Sequence, residues 1–171
     1  LSLKVISDIS EKDTTKLNTL SENNKEQIEK LTETAIKNAD ASEESADLIA
    51  KVVANASDEL VNKVVEEVSK NSTDENQTLS AKVMKSIVET NPEKIEILSD
   101  ENKQTMISQT IESAKNQAEG TSTDEIDLTN TIAEIVTKAD AGTAAKVLET
   151  LEEVSKESDS IISSFFFCSK C

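Results

Sequence analysis

Cys168 and Cys171 form a Cys-x-x-Cys pair, the spacing in this chain most typical of metal or redox chemistry. The pair supplies two of the four ligands that a structural zinc ion needs, so zinc would require ligands from elsewhere. A thioredoxin-like pair would follow a strand, and the sequence predicts no strand. Prenylation boxes carry aliphatic residues between cysteine and terminus, whereas Ser169 and Lys170 follow Cys168 here. We therefore expect these cysteines to belong to a tail without chemistry.

Adjacent carboxylates are the second group of candidates. They occur at Glu43/Glu44, Glu66/Glu67, Asp124/Glu125 and Glu152/Glu153. Neighbouring residues on a helix point about 100° apart, so these pairs do not face each other as an acid and a base. We expect all of them to be solvated on helix faces.

The absent residue types exclude most catalytic and cofactor chemistry. The chain has no His, and all 18 of its basic residues are Lys. Imidazole bases, catalytic triads with His and helical di-iron sites are therefore impossible. The only two glycines, Gly120 and Gly142, cannot build a phosphate-binding loop. The sequence contains no candidate catalytic, cofactor-binding or metal-ligating residue. It predicts no cofactor and indicates that the protein is not an enzyme.

The charge restricts the partners. The chain carries 34 acidic and 18 basic residues and a formal net charge of −16. Nucleic acid and anionic lipid would be repelled, because binding to either needs neutralisation of phosphate. We expect a protein partner or self-association, with no nucleic acid bound and no membrane span.

The elements that carry these side chains are predicted from apolar periodicity. Leu48, Ile49, Val52, Val53 and Ala56 follow the spacing of one helix face, and similar stripes recur along the chain. The predicted helices are 2–9, 13–19, 22–38, 44–56, 58–70, 75–90, 92–117 with a break near Ser99, 124–138 and 143–156.

Helix start signals agree with these helices. The sequences at 72–75 and 122–125 are both Ser-Thr-Asp-Glu, which is typical of a capping box. Asn91 precedes Pro92, a combination that favours a helix start. Gly142 indicates a tight turn between the last two helices.

An internal repeat organises these helices. Its first part runs from Leu1, Ser2, Lys4, Val5 and Ile9, which recur at the same spacing as Leu79, Ser80, Lys82, Val83 and Ile87. Its second part contains Ile49, Ala50, Val53 and Ala56, which recur as Ile132, Ala133, Val136 and Ala139. We therefore predict one all-α domain over 1–157, made of two repeats of about 80 residues at 1–71 and 79–156. Residues 158–171 form an apolar, Cys-containing tail.

The repeat predicts a fold class. Two-helix units in tandem stack on one another because each alone leaves its apolar stripe exposed. We expect short antiparallel helical hairpins in an α-solenoid-like superhelix; an irregular multi-helix bundle is the alternative.

The tail contains the strongest apolar run, from Ile161 to Phe167, and all three phenylalanines of the chain. This run is too short to cross a bilayer, which takes about 20 residues. It could cap the last repeat, serve as a docking or self-association patch, or begin a hydrophobic segment truncated here. We favour capping or truncation.

Three functions remain open at this point. The first is a non-catalytic structural or protein-interaction segment, expected to be a fragment of a larger repetitive protein. The second is an acidic regulatory domain that binds divalent cations weakly. The third is an enzyme that uses only carboxylate and Lys chemistry. No signal peptide or transmembrane segment is visible in the sequence, and localisation is unknown.

Overall fold

The computed structural model describes the backbone of residues 1–72, 77–118 and 128–168, and the side chains of residues 1–72, 78–117, 128–154 and 156. These residues form α-helices and one 3-10 helix at Pro92–Ile95, with no strand in the described ranges. The α-helices are α1 (Ser2–Lys12), α2 (Thr14–Asn23), α3 (Lys25–Lys37), α4 (Glu43–Asn55), α5 (Asp58–Asn71), α6 (Gln77–Thr90), α7 (Asp100–Ala118), α8 (Leu128–Lys138) and α9 (Ala141–Cys168). The predicted all-α class is confirmed.

The helices pack in two rows. In the first row α1 packs on α4, α4 on α6, and α6 on α8. In the second row α3 packs on α5, α5 on α7, and α7 on α9. The rows contact each other chiefly through α1 with α3, α6 with α7, and α8 with α9. Each helix therefore lies beside helices from neighbouring segments of the chain.

The core between the rows is aliphatic. The predicted stripe of α5 is buried along its length, from Leu60 and Val61 through Val64 and Val65 to Val68. Stripes on α4, α6 and α7 join it in one cluster, which two methionines, Met84 and Met106, complete. Because no aromatic side chain among the described residues contributes to this cluster, its stability rests there on aliphatic burial at about 25 cal/mol per Å².

The helix ends follow local capping chemistry. The Asp13 carboxylate accepts from the Lys16 N–H at 2.8 Å, the Ser42 hydroxyl from Ser45 N–H at 3.1 Å, and the Ser99 hydroxyl from Asn102 N–H at 3.2 Å. The expected break near Ser99 is confirmed, because the 3-10 helix precedes Ser99 and α7 begins at Asp100.

Two expectations at the C-terminal helices are wrong in detail. Gly142 lies in the first turn of α9 and not between helices, because Asp140 caps α9 by accepting from the N–H groups of Gly142 and Thr143 at 2.6 and 3.0 Å. The backbone of α9 continues past residue 156 to Cys168, a stretch without Gly or Pro to end it. Thr73–Glu75, the second predicted capping box and Cys171 lie outside the described residues.

Candidate functional site

A groove crosses the second row of helices. It has a volume of about 640 Å³ and runs over α3, α5 and α7. Its lining is polar and charged: Glu29, Glu59, Asn62, Lys63, Glu66, Ser69, Lys70, Ser99, Glu101, Asn102 and Thr105. Four of these side chains are glutamates and two are lysines, so the groove is acidic on balance. A ligand here would meet charged and hydrogen-bonding groups together with the carbon atoms of these polar side chains.

The side of the groove formed by α5 contains a four-residue charge cluster. The Glu67 carboxylate is buried and lies 3.1 Å from both Lys63 Nζ and Lys70 Nζ. Glu66, one residue earlier, is half-buried and pairs with the same two ammonium groups. Lys63 and Lys70 lie four residues before and three after Glu67, so helical spacing places both on its face.

These contacts shift the titration of three members of the cluster. The hydrogen bond from Lys70 lowers the pKa of the Glu66 carboxyl, and the same bond raises the pKa of Lys70. The hydrogen bond to Glu67 raises the pKa of Lys63. Both lysines therefore stay charged at neutral pH, which is the opposite of what a catalytic lysine base requires.

An amide cluster forms another part of the groove. Asn62 Oδ1 accepts from the Ser99 N–H at 2.6 Å, and its Nδ2 donates to the Asp58 and Ile97 carbonyls at 2.9 and 3.0 Å. Asn102 Nδ2 donates to the Asn62 carbonyl at 2.9 Å. These bonds join α5 to α7 and fix the geometry of this part of the groove. Two glutamates of the groove lie here at helix starts, Glu59 on α5 and Glu101 on α7, and both are exposed.

One rim of the groove is an ion pair between helices. Lys25 of α3 pairs with Glu59 of α5 and lies 4.0 Å from Glu29 on its own helix. The hydrogen bond to Glu59 raises the pKa of Lys25. Both partners of the Lys25–Glu59 pair are largely exposed, so this contact is available for exchange with a ligand's charge.

Sequence reasoning missed Glu67. The expectation that every adjacent carboxylate pair is solvated is wrong for this residue, although it holds for Glu43, Glu44, Glu152 and Glu153, which are exposed. The signal was present in the two lysines at helical spacing from Glu67. Asp124 and Glu125 lie outside the described residues, as do the side chain of Cys168 and all of Cys171.

In the described part of the chain, no group of three or more His, Cys, Asp or Glu side chains could hold a metal ion. No described helix combines the length and apolar character needed to cross a bilayer. Comparisons with protein-family models, with curated proteins and with solved structures find no match to this chain.

Proposed function

We propose that the chain is a non-catalytic helical-repeat module whose groove over α3, α5 and α7 binds an extended, basic segment of a partner protein. Its helices are taken as four units in tandem, which in chain order are α1 with α2 and α3, α4 with α5, α6 with α7, and α8 with α9. The observation that carries the proposal is the polar, acidic groove crossing consecutive units.

The row packing supports the tandem arrangement. Each unit contributes one helix to each row, and the neighbours in a row come from consecutive units. The second part of the sequence repeat has the same boundaries, because it aligns the first residue of α5, Asp58, with the first residue of α9, Ala141. A multi-helix bundle with irregular order would not require this correspondence.

Hydrogen bonds that recur between units also support the tandem arrangement. Asn18 accepts from the backbone N–H of Ser57 at 3.0 Å, immediately before α5. Asn62 accepts from Ser99 N–H before α7, and Glu96 Oε1 accepts from Asp140 N–H at 3.0 Å before α9. Each unit thus holds the start of the next second-row helix, which fixes the register of the stack.

The size and charge of the groove indicate the partner. Packed helices lie about 8–10 Å apart, so α3 and α7 are about 16–20 Å apart across α5. An extended segment of about six residues covers that distance at about 3.3 Å per residue. Glu59 and Glu101 are exposed along it, and lysine or arginine side chains of a ligand would pair with them.

The test uses two labelled peptides of about ten residues, one alternating Lys with Ser and one alternating Glu with Ser, titrated with the full chain and followed by fluorescence anisotropy. The groove variant is Glu59→Gln with Glu101→Gln. The control is Glu43→Gln with Glu44→Gln, which removes the same charge from the exposed first turn of α4.

Two exposed charge contacts at about 0.5–1 kcal/mol each predict an affinity for the Lys peptide about tenfold weaker in the groove variant. The control variant should stay within about twofold of the unaltered chain, because non-specific attraction to the net charge falls equally in both variants. Equal affinity in the two variants, or no preference for the Lys peptide, would overturn the proposal.

A further inference from the structure

We infer that the face formed by α1 and α3 binds the α8–α9 face of a second copy of this chain, head to tail. The inference rests on the tandem units proposed above, but it does not involve the groove. The sequence repeat aligns the residues of each end face with residues that lie at an interface between units inside the chain. We compare each end face with that internal interface.

The apolar residues of the α1–α3 face match, in sequence, residues that are buried on α6. Residues 1–5 are Leu-Ser-Leu-Lys-Val and residues 79–83 are Leu-Ser-Ala-Lys-Val. On α6, which packs between α4 and α8, Leu79 and Val83 are 1% and 0% exposed. Leu1, immediately before α1, and Val5 on α1 are 102% and 45% exposed. The only row neighbour of α1 among the described helices is α4, so its other side is open.

The polar part of the face follows the same pattern. Lys82 Nζ donates to the Ala41 carbonyl at 2.6 Å and Lys94 Nζ to the Ala56 carbonyl at 3.3 Å, so both hold the preceding unit. The repeat aligns these lysines with Lys4 and Lys16, whose exposed side chains make no hydrogen bond or ion pair with the described residues. The first unit therefore exposes the two lysines that, in a later unit, hold the unit before it.

The α8–α9 face contains an apolar side chain and a backbone carbonyl that the α1–α3 face of another copy would contact. The second part of the repeat aligns Leu148 on α9 with Val65, yet Leu148 is 57% exposed and Val65 is 0% exposed. It also aligns Ala139, immediately after α8, with Ala56, whose carbonyl accepts from Lys94. Lys16 of one copy would then donate to the Ala139 carbonyl of the next.

The exposed apolar residues lie at the same two ends of the chain. The large apolar side chains that are exposed within the described residues are Leu1, Val5, Leu31 and Leu148. The first three belong to the segment of α1 and α3, and the fourth to α9. The repeat aligns Leu31 with Gln109, whose Nε2 donates to the Ser69 carbonyl of the preceding unit at 3.0 Å.

The two faces are different surfaces, so the contact is heterologous and each assembly keeps one free face at either end. Association should therefore proceed beyond a dimer as concentration rises. Because the net charge of −16 repels like copies, added salt should strengthen the association through screening.

The test is sedimentation velocity of the full chain under reducing conditions, from about 10 to about 500 μM. Val5→Asp blocks the first face and Leu148→Asp the second, and both positions are exposed enough to tolerate a charge. We expect the unaltered chain to grow with concentration and each variant alone to remain monomeric. An equimolar mixture of the two variants retains one intact pair of faces and should form a dimer and nothing larger.

Two control variants test whether the added charge alone, or the phenylalanines of the tail, account for changes in association. Ser99→Asp adds the same charge at a helix cap between the end faces and should associate like the unaltered chain. A variant with Phe165→Ser, Phe166→Ser and Phe167→Ser should also associate normally. A chain that stays monomeric throughout, a mixture that forms no dimer, or association abolished by the Phe substitutions alone would overturn the inference. Peptide binding in the groove should be unaffected by Val5→Asp, so the two proposals fail separately.

Discussion

Residues 1–5 and 79–83 differ at one position, yet the first segment is largely open to solvent and the second lies in the core. The contrast extends along both copies of the repeat. Asn102 of α7 bonds to Asn62 of α5, while Asn24, which the sequence repeat aligns with it, makes no side-chain hydrogen bond with the described residues. The difference teaches that burial at these positions depends on which helices from elsewhere in the chain pack against them, and not on the local sequence. Matched pairs of substitutions at positions that the sequence repeat aligns therefore measure what packing against other helices contributes at each of them.

The largest difference is expected for an aspartate introduced at equivalent valines. Val83→Asp buries a carboxylate without a partner and should lower the free energy of unfolding by more than about 4 kcal/mol, or abolish folding. Val5→Asp should cost less than about 1 kcal/mol because the side chain reaches water. Urea denaturation followed by circular dichroism measures both, at a concentration where the chain is monomeric. Equal losses would contradict the comparison.

A smaller difference is expected for equivalent asparagines. Asn102→Ala removes the bonds of Nδ2 to the Asn62 carbonyl and to Asn62 Oδ1, at 2.9 and 3.1 Å, and should cost about 1–1.5 kcal/mol. Asn24→Ala should change the free energy of unfolding by less than about 0.5 kcal/mol. The same denaturation curves give both values, and a larger loss at Asn24 would show that the register bonds are misassigned.

The fold was predictable from sequence to the extent that it depends on local spacing. The stripe on α5 and the break before Ser99 both follow from residues within a few positions of each other. The Asp140 cap and the burial of Glu67 were not predicted, although the residues involved are close in sequence. Which side of a helix is covered depends on helices from other parts of the chain, and no periodicity within one helix reports that. The groove was unpredicted for the same reason, since its lining comes from three helices.

Substitutions at a third pair of aligned residues, Thr32 and Thr110, should change stability in different directions. Thr32 is buried and its hydroxyl has no hydrogen-bond partner among the described residues, whereas the Thr110 hydroxyl donates to the Met106 carbonyl at 2.7 Å. Thr32→Val removes an unsatisfied group without changing shape and should leave stability equal or up to about 1 kcal/mol higher. Thr110→Val should lower stability by about 0.5–1 kcal/mol. Thermal unfolding distinguishes the two signs, and a loss at Thr32 would contradict the assignment.

The smallest effect is expected from acid titration in the middle of the array. The pKa of Glu66 is lowered in the folded state by its bond to Lys70, from an ordinary value of 4.5. Its contribution to stability is therefore present above about pH 4.5 and is lost as the pH falls through the lowered value. Glu66→Gln should melt slightly below the unaltered chain at pH 7, with a difference that shrinks as the pH falls below about 4.5. A difference that is constant with pH would rule out this ion pair as its cause.

The central claim is that the chain is a stack of units in which each is stabilised by its neighbours. Native-state hydrogen exchange at low protein concentration tests it most directly, because local opening then reports the neighbours of each helix. A tandem array predicts the strongest protection in α4, α5, α6 and α7, which have a unit on both sides, and earlier exchange in α1 to α3 and in α8 and α9. Uniform protection that is lost in a single cooperative step across all described helices would contradict the claim and favour a bundle with one closed core.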